Sequence, residues 1–257
     1  MARDFEHTAI NPLILSGKMA DLECPLASDP GTRWGYGLGM DWLGLIIEAI
    51  DGRRIATFCQ EEIFDPLGMS STKFEADDLL DRLATSYGRS DDGSFIPIDM
   101  PVPPTRPEFY GMGHAIYSTA DDYIRFLRLV LNRGALDGVR LVSEQTIDAM
   151  LTDQLDDLSF RPMVSCAPLE SADFDPFPGI RCGHSIAFLC NSDDVPGKRL
   201  AGSQTWAGCL NTFFWIDPKA DLCAVMLTQS VPFADPRVMK TYDLFERAVY
   251  DAESSRP

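Results

Sequence analysis

Residues 203–218 read SQTWAGCLNTFFWIDP. Aromatic and β-branched residues alternate with small and polar ones on both sides of a glycine, a texture that suits strands and not a helix. Working outward, the same texture recurs, so strands are expected over 180–190, 199–206, 208–216 and 222–229. Ile216-Asp217-Pro218-Lys219-Ala220-Asp221 reads as the turn that joins the last two into a hairpin. The final element, PRVMKTYDLFERAVY (236–250), opens with proline in its first turn and sets Val238, Met239, Tyr242, Phe245 and Val249 on one face, the pattern of a closing amphipathic helix.

Upstream the periodicity is helical. In DWLGLIIEAI (41–50), Trp42, Leu45, Ile46, Ala49 and Ile50 recur at helical spacing, with Asp41 as the expected N-cap and Asp51-Gly52 as the stop. A second helix is expected over 54–64, broken by Pro66. Residues 85–110 hold five prolines (97, 101, 103, 104, 107) and read as an extended loop with little regular structure. Thr119-x-x-Asp122 reads as a capping box opening an amphipathic helix that buries Ile124, Leu127, Val130 and Leu131 and ends at Gly134. Another helix follows the cap Ser143. Helices first, an antiparallel sheet next and a helix last make an α+β chain. Its organisation is a helical region with long proline-rich loops over 1–178, then strands and a C-terminal helix over 179–257, one domain overall.

The chain has 257 residues, 45% hydrophobic and 24% charged, enough for a sizeable core. A formal charge of −17 repels phosphate backbones and anionic lipid, so no nucleic-acid or membrane-surface partner is expected. The seven cysteines (24, 59, 166, 182, 190, 209, 223) include no C-x-x-C, and no Cys/His grouping has zinc spacing, so no metal is expected. Cys190, Cys209 and Cys223 lie in apolar stretches and read as small buried hydrophobes. That usage, with no signal-peptide pattern in MARDFEHTAINP, fits a reducing, cytoplasmic compartment.

Chemistry-bearing motifs are few. The three histidines, His7, His114 and His184, have no nucleophile elbow G-x-S-x-G to serve, and His114 reads as a satisfied loop histidine. Residues 68–74, GMSSTKF, contain S-x-x-K at Ser70 and Lys73, the spacing that sets a nucleophilic serine and its lysine one helical turn apart. With 18 serines and 5 lysines in the chain, chance alone supplies about 0.35 such pairs. The preceding Gly68 argues against a helix presenting Ser70 at a cleft.

Four segments taken together are more specific: PGTRWGYGLGMDWLG (30–44), IFDPLGMSSTKF (63–74), GHAIYSTADDYIRFLRLVLNRG (113–134) and SQTWAGCLNTFFWIDP (203–218). In this order they resemble the serine β-lactamase-like, penicillin-binding-protein-type family of esterases and acyltransferases, from about residue 25 to 250. The resemblance implies a β-lactamase/transpeptidase-like fold and acyl transfer from a small-molecule ester or acyl donor, with no cofactor. Tyr36 corresponds to the tyrosine that shuttles the proton of the nucleophilic serine, helped by a lysine that lowers its pKa. Leu38 stands where the β-lactamases have asparagine, which argues against recognition of a penicillin-like amide. Trp206-Ala207-Gly208 matches the K-T-G or W-G-G strand that edges the active site, and the Cys209 N–H matches one of two oxyanion donors.

In the family the S-x-x-K precedes the tyrosine. Here the 35 residues before Tyr36 contain none, and only His7-Thr8 echoes a family element that follows the nucleophile helix. PLGMSSTKF instead matches a family segment that leaves a helix, so Ser70 is not the expected nucleophile. The expectation is therefore a chain that begins after its catalytic serine and lysine and lacks the first strands of the sheet. A sheet edge left open in this way needs a second copy or a partner chain to cover it. Two alternatives stay open: a non-catalytic binding protein derived from the family, or a fragment of a longer enzyme.

Overall fold

The computed structural model describes residues 15–255 apart from Cys24, Ala27, Asp91 and Cys166. His7-Thr8 and two of the seven cysteines thus lie outside the described residues. A short helix α1 (Met19–Leu22) leads to α2 (Gly39–Asp51), α3 (Ile55–Cys59) and α4 (Asp65–Leu67). Between α3 and α4 the chain makes one wider, π-type turn over Gln60–Phe64, and the helical path runs through Pro66 without breaking. Proline in a first turn loses no hydrogen bond, so the stop falls at Gly68, whose φ of 66° is the left-handed conformation glycine adopts freely.

Residues 85–110 are more ordered than their prolines suggest. Strands β1 (Ser86–Arg89) and β2 (Phe95–Ile98) form an antiparallel hairpin, with Pro97 facing Tyr87 on the edge strand β2. A small hairpin, β3 (Ala135–Leu136) and β4 (Val139–Arg140), separates α5 (Ala120–Leu131) from α6 (Glu144–Leu151). Thr119 and Ser143 cap these two helices, their hydroxyls accepting the N–H groups of Asp122 and Thr146 at 3.2 and 3.1 Å. Asp122 does not complete a capping box. Its buried carboxylate accepts the Ser71 N–H at 2.7 Å and the Thr72 hydroxyl at 2.9 Å.

The principal sheet runs in the order β5 (Cys182–His184), β6 (Leu189–Asn191), β7 (Gln204–Gly208), β8 (Thr212–Asp217) and β9 (Leu222–Met226), antiparallel throughout. Strand β10 (Ser230–Val231) pairs in parallel with β1, and α7 (Pro236–Ser254) closes the chain. Side chains alternate between the two faces of the sheet. Phe213 and Trp215 turn toward α7, where they meet Tyr242 at 4.4 and 5.9 Å between ring centroids. Phe214 and Ile216 turn the other way, onto α5, where Phe214 meets Tyr123 at 5.4 Å. This second cluster draws on both halves of the chain, since Leu127, Val130 and Ile147 pack against Phe188 and Ile216.

The break between β7 and β8 falls at 209–211, later than the expected break at 207. Gly208 ends β7, and the turn to β8 is held by Asn211 in the left-handed region at φ 58°. The buried Asn211 amide donates to the Ser230 and Pro232 carbonyls, both at 2.8 Å, while its oxygen accepts the Ala234 N–H at 2.8 Å.

Two surfaces are open. Strand β9 has β8 on one side and no strand on the other among the described residues. On α2, Asp41 does not cap the helix; Leu38 holds that position. The fully buried residues of α2 are Asp41 and Gly44, Leu45 and Ile47 pack against the core while half-buried, and the apolar stripe Trp42, Leu43, Ile46 and Ile50 is exposed.

Candidate active site

The free edge of β7 organises the site. Strand β6 pairs with β7 only at Leu189↔Thr205 and Cys190↔Gln204, so Trp206, Ala207 and Gly208 have a neighbour on the β8 side alone. Tyr36 reaches this edge from the loop before α2, its ring 5.6 Å from that of Trp206 with the planes 34° apart. His184 stands on the other side of Trp206, 5.5 Å away, and also touches Trp34 at 5.9 Å. Below this aromatic group opens a cavity of about 270 Å³. Tyr36, Trp206, Ala207, Gly208 and Cys209 all contribute to its wall, which mixes apolar side chains such as Phe174, Phe213 and Met239 with the polar Ser171, Thr205 and Glu246. The sequence-expected residues therefore come together at one cleft, and His184 is a neighbour the sequence did not mark.

Each group has a defined electrostatic state. Tyr36 keeps 41% of its surface exposed, yet partial desolvation at the cleft wall pushes its phenol above its ordinary value, and the neighbouring Cys209 and Asp41 push it further in the same direction. Partial desolvation by the surrounding cleft wall also raises the exposed Cys209 thiol, although the N–H groups of Cys209 and Leu210 pull against that. Both groups hold their protons at neutral pH. Cys209 is solvent-exposed and not a buried hydrophobe, a correction that follows from its place in the β7–β8 turn at the cavity mouth. Cys223 is half-buried, and Cys190 is buried as expected. The β7–β8 ladder ends at Gly208↔Thr212, which leaves the Cys209 N–H outside the sheet, where an oxyanion donor would stand. His184 is held neutral by burial, and its Nδ1–H donates to the Ser185 carbonyl at 2.6 Å, which leaves Nε2 as an acceptor.

GMSSTKF lies elsewhere. Ser70 and Ser71 sit in a turn after α4, not on a helix. Thr72 is buried against Asp122, and Lys73 pairs with Asp78 while exchanging backbone hydrogen bonds with Tyr117. Lys73 borders a separate groove with Arg54, Glu75 and Asp77. The segment ties the α4 turn to α5. His114 is likewise remote from the cleft wall; its ring fills the space a side chain at position 111 would need, which accounts for Gly111. Among the described residues no group of three or more His, Cys, Asp or Glu is placed to hold a metal, and no helix is long and apolar enough to cross a membrane.

Comparison with known proteins places these features in context. A family profile described as Beta-lactamase matches residues 15–248. Protein Rv1367c of Mycobacterium tuberculosis is 32% identical over 213 residues, 81% of this chain and 51% of that protein. Monacolin J acid methylbutanoyltransferase of Aspergillus terreus is 29% identical over 252 residues, 91% of this chain and 58% of the transferase. Lovastatin esterase of Penicillium rubens is 30% identical over 231 residues, 84% of this chain and 55% of the esterase. The solved structure of a simvastatin synthase (LovD) mutant from Aspergillus terreus superposes with a TM-score of 0.76 at 27% identity, over 91% of this chain and 58% of the synthase. The chain spans about half the length of the curated relatives it matches.

Proposed function

The chain belongs to the β-lactamase family, and from that premise we propose that it serves acyl transfer of the esterase or acyltransferase type. A small-molecule ester or acyl donor lies along the free edge of β7. A serine oxygen attacks the carbonyl carbon, its proton passes by way of Tyr36, and the oxyanion is held by backbone N–H groups that include Cys209. The leaving alcohol takes a proton as it departs, and water or a second alcohol then removes the acyl group. The observation that carries this reading is the convergence of Tyr36, Trp206–Gly208 and the Cys209 N–H on the mouth of one cavity. The names of the acyltransferase and esterase relatives support it. In this reading the attacking serine and its lysine come from outside the described residues, because Ser70 does not line the cleft and Ser171, which does, donates its hydroxyl to the Ala172 carbonyl and opens no S-x-x-K. The lysine's charge then reverses the upward push on Tyr36.

A second reading, a binding protein that kept the cleft and lost the chemistry, is favoured by one observation: the charges felt by Tyr36 are those of Cys209 and Asp41, with no lysine or arginine acting on it among the described residues. Incubating the protein translated from the complete reading frame with p-nitrophenyl butyrate and a fluorophosphonate probe separates the two. Turnover, with one labelled serine in an S-x-x-K that precedes Tyr36, supports acyl transfer. Absence of both replaces it with the binding reading. Under either reading, the open β9 edge and the α2 stripe of Trp42, Leu43, Ile46 and Ile50 are proposed to be covered by more polypeptide, a second copy or a partner chain.

A further inference from the structure

Past Trp206 the cleft edge continues in two rings that the proposed chemistry leaves unused, His184 and Trp34. Tyr36, Trp206, His184 and Trp34 follow one another at centroid separations of 5.6, 5.5 and 5.9 Å. Trp206, His184 and Trp34 are each half-buried, so part of every ring stays open to solvent. Phe160 packs edge to face on Trp34 at 4.8 Å and steadies the far end of the row.

The imidazole within this row is held in one orientation. The His184 backbone N–H donates to Asp153 Oδ1 at 3.0 Å, and its Nδ1–H donates to the Ser185 carbonyl at 2.6 Å. A carbonyl has no proton to give, so that contact fixes the tautomer and makes Nε2 the acceptor. Burial keeps the ring from taking a second proton near neutral pH, although the Ser185 carbonyl and the Asp153 charge pull the other way. Nε2 has no partner among the described residues. The unpartnered polar atoms sealed from solvent there are Asn191 Oδ1, Arg199 Nη1 and Gln204 Oε1, and Nε2 is not one of them. Indole rings flank this open acceptor, so a water on it finds few of the roughly three polar partners that would hold it. A hydroxyl carried on a flat ring replaces that water, donates to Nε2 and covers indole surface together.

We propose that Trp206, His184 and Trp34 form a subsite for the alcohol component of acyl transfer, one that takes a ring-bearing alcohol with a second hydroxyl. The ring lies on Trp206, the reacting hydroxyl points to Tyr36, and the second hydroxyl donates to His184 Nε2. The order of the rings sets this arrangement, because Trp206 stands between Tyr36 and His184. In deacylation the reacting oxygen bonds to the acyl carbon as the serine oxygen leaves, and its proton passes by way of Tyr36 to that serine oxygen. The role as acyl acceptor rests on the acyl-transfer reading, whereas the binding preference is measured without turnover.

The test uses tyrosol, which carries an alcoholic and a phenolic hydroxyl at opposite ends of one ring, with the methyl ether of its phenol and phenethyl alcohol as controls. Calorimetry near neutral pH should show one-to-one binding of tyrosol, about fivefold or more tighter than either control, the scale of one neutral hydrogen bond. The nitrogen NMR resonance of His184 Nε2 should move on saturation with tyrosol and stay in place with the ether. His184→Phe, which keeps a ring and removes the acceptor, should bring the three alcohols within about twofold of one another. The wild-type resonance keeps the test decisive if that variant fails to fold. Equal affinity for tyrosol and its ether, absence of one-to-one binding at millimolar tyrosol, or an Nε2 resonance unmoved by tyrosol would overturn the proposal. Butyryl transfer from p-nitrophenyl butyrate to the three alcohols, in the protein from the complete reading frame, then reads the role, and the tyrosol ester should dominate. Equal yields of the three esters would overturn the acceptor role, while preferential binding without any turnover would overturn the acyl-transfer reading and keep the subsite.

Discussion

The rings of Tyr36 and Trp206 lie 5.6 Å apart across the free edge of β7, so a residue before the first long helix and a residue of the principal sheet share one wall of the cleft. Tyr36 is set there by a loop and Trp206 by the β7–β8 ladder, in which it faces Phe214. The electrostatic surroundings of Tyr36 disfavour its phenolate, and that has a measurable consequence.

Burial pushes Tyr110 and Tyr123 up to about 12, and Tyr36 is raised in the same direction. The unfolded chain titrates its tyrosines near 10. Above about pH 10 the folded state therefore binds more protons than the unfolded one, and stability falls as pH rises. Urea midpoints should drop between pH 9 and 11, and native phenolate absorbance should develop with a midpoint above 10. A native midpoint below 10 would contradict the raised values of these buried tyrosines, and its shift in Tyr36→Phe isolates the share of Tyr36.

Asp235 makes the opposite case. Burial alone would raise its pKa, but Arg89 and the N–H groups of Val238 and Arg237 hold it below the usual carboxylate range. Arg89 grips it through two bonds of 2.6 Å, which ties the start of α7 to β1. A depressed pKa contributes stability that is present above about pH 4 and lost as pH falls through the folded value. Asp235→Ala should cost about 3 kcal/mol at pH 7, measured by urea unfolding, and the gap to wild type should narrow toward pH 3. A gap that stayed constant would assign the cost to lost packing.

Gly208 is required by its neighbour. A Cβ at this position would collide with the Thr212 hydroxyl across the β7–β8 turn. Gly208→Ala should therefore lower stability by about 1–3 kcal/mol, and Thr212→Ala in the same chain should recover most of it. A melting temperature for Gly208→Ala equal to wild type would show that Thr212 simply rotates away.

How far these features could be read in the sequence depended on how local their causes are. Thr119, Ser143 and Pro236 mark helix starts through bonds and dihedral preferences within a few residues, and all three were legible. The alternation in 203–218 gave the strands of the sheet, but their exact break depends on Asn211 reaching Ser230, Pro232 and Ala234, which no local pattern announces. Tyr36 and Trp206–Cys209 were legible through a family pattern. His184 was not, because it joins the site only through ring contacts with Trp34 and Trp206. Helical spacing in α2 marked Trp42, Leu45, Ile46, Ala49 and Ile50 as one apolar stripe but could not say that Leu45 would pack inward while Trp42, Ile46 and Ile50, joined by Leu43, would face outward.

That stripe yields a prediction of its own. Light scattering after size exclusion should show the isolated 257-residue chain as a dimer or larger species. Ile46→Glu should shift it toward monomer without loss of secondary structure. A monomeric wild-type chain at high micromolar concentration would remove the second copy and leave a different polypeptide as the cover.

The most direct test of the central claim is kcat/KM for p-nitrophenyl butyrate in the protein from the complete reading frame, with two substitutions compared. The account predicts that Tyr36→Phe lowers it about 100-fold or more, the scale of a lost proton-transfer group, while Ser70→Ala stays within about twofold of wild type. A Tyr36→Phe enzyme as active as wild type, or a Ser70→Ala enzyme that is dead, would contradict it.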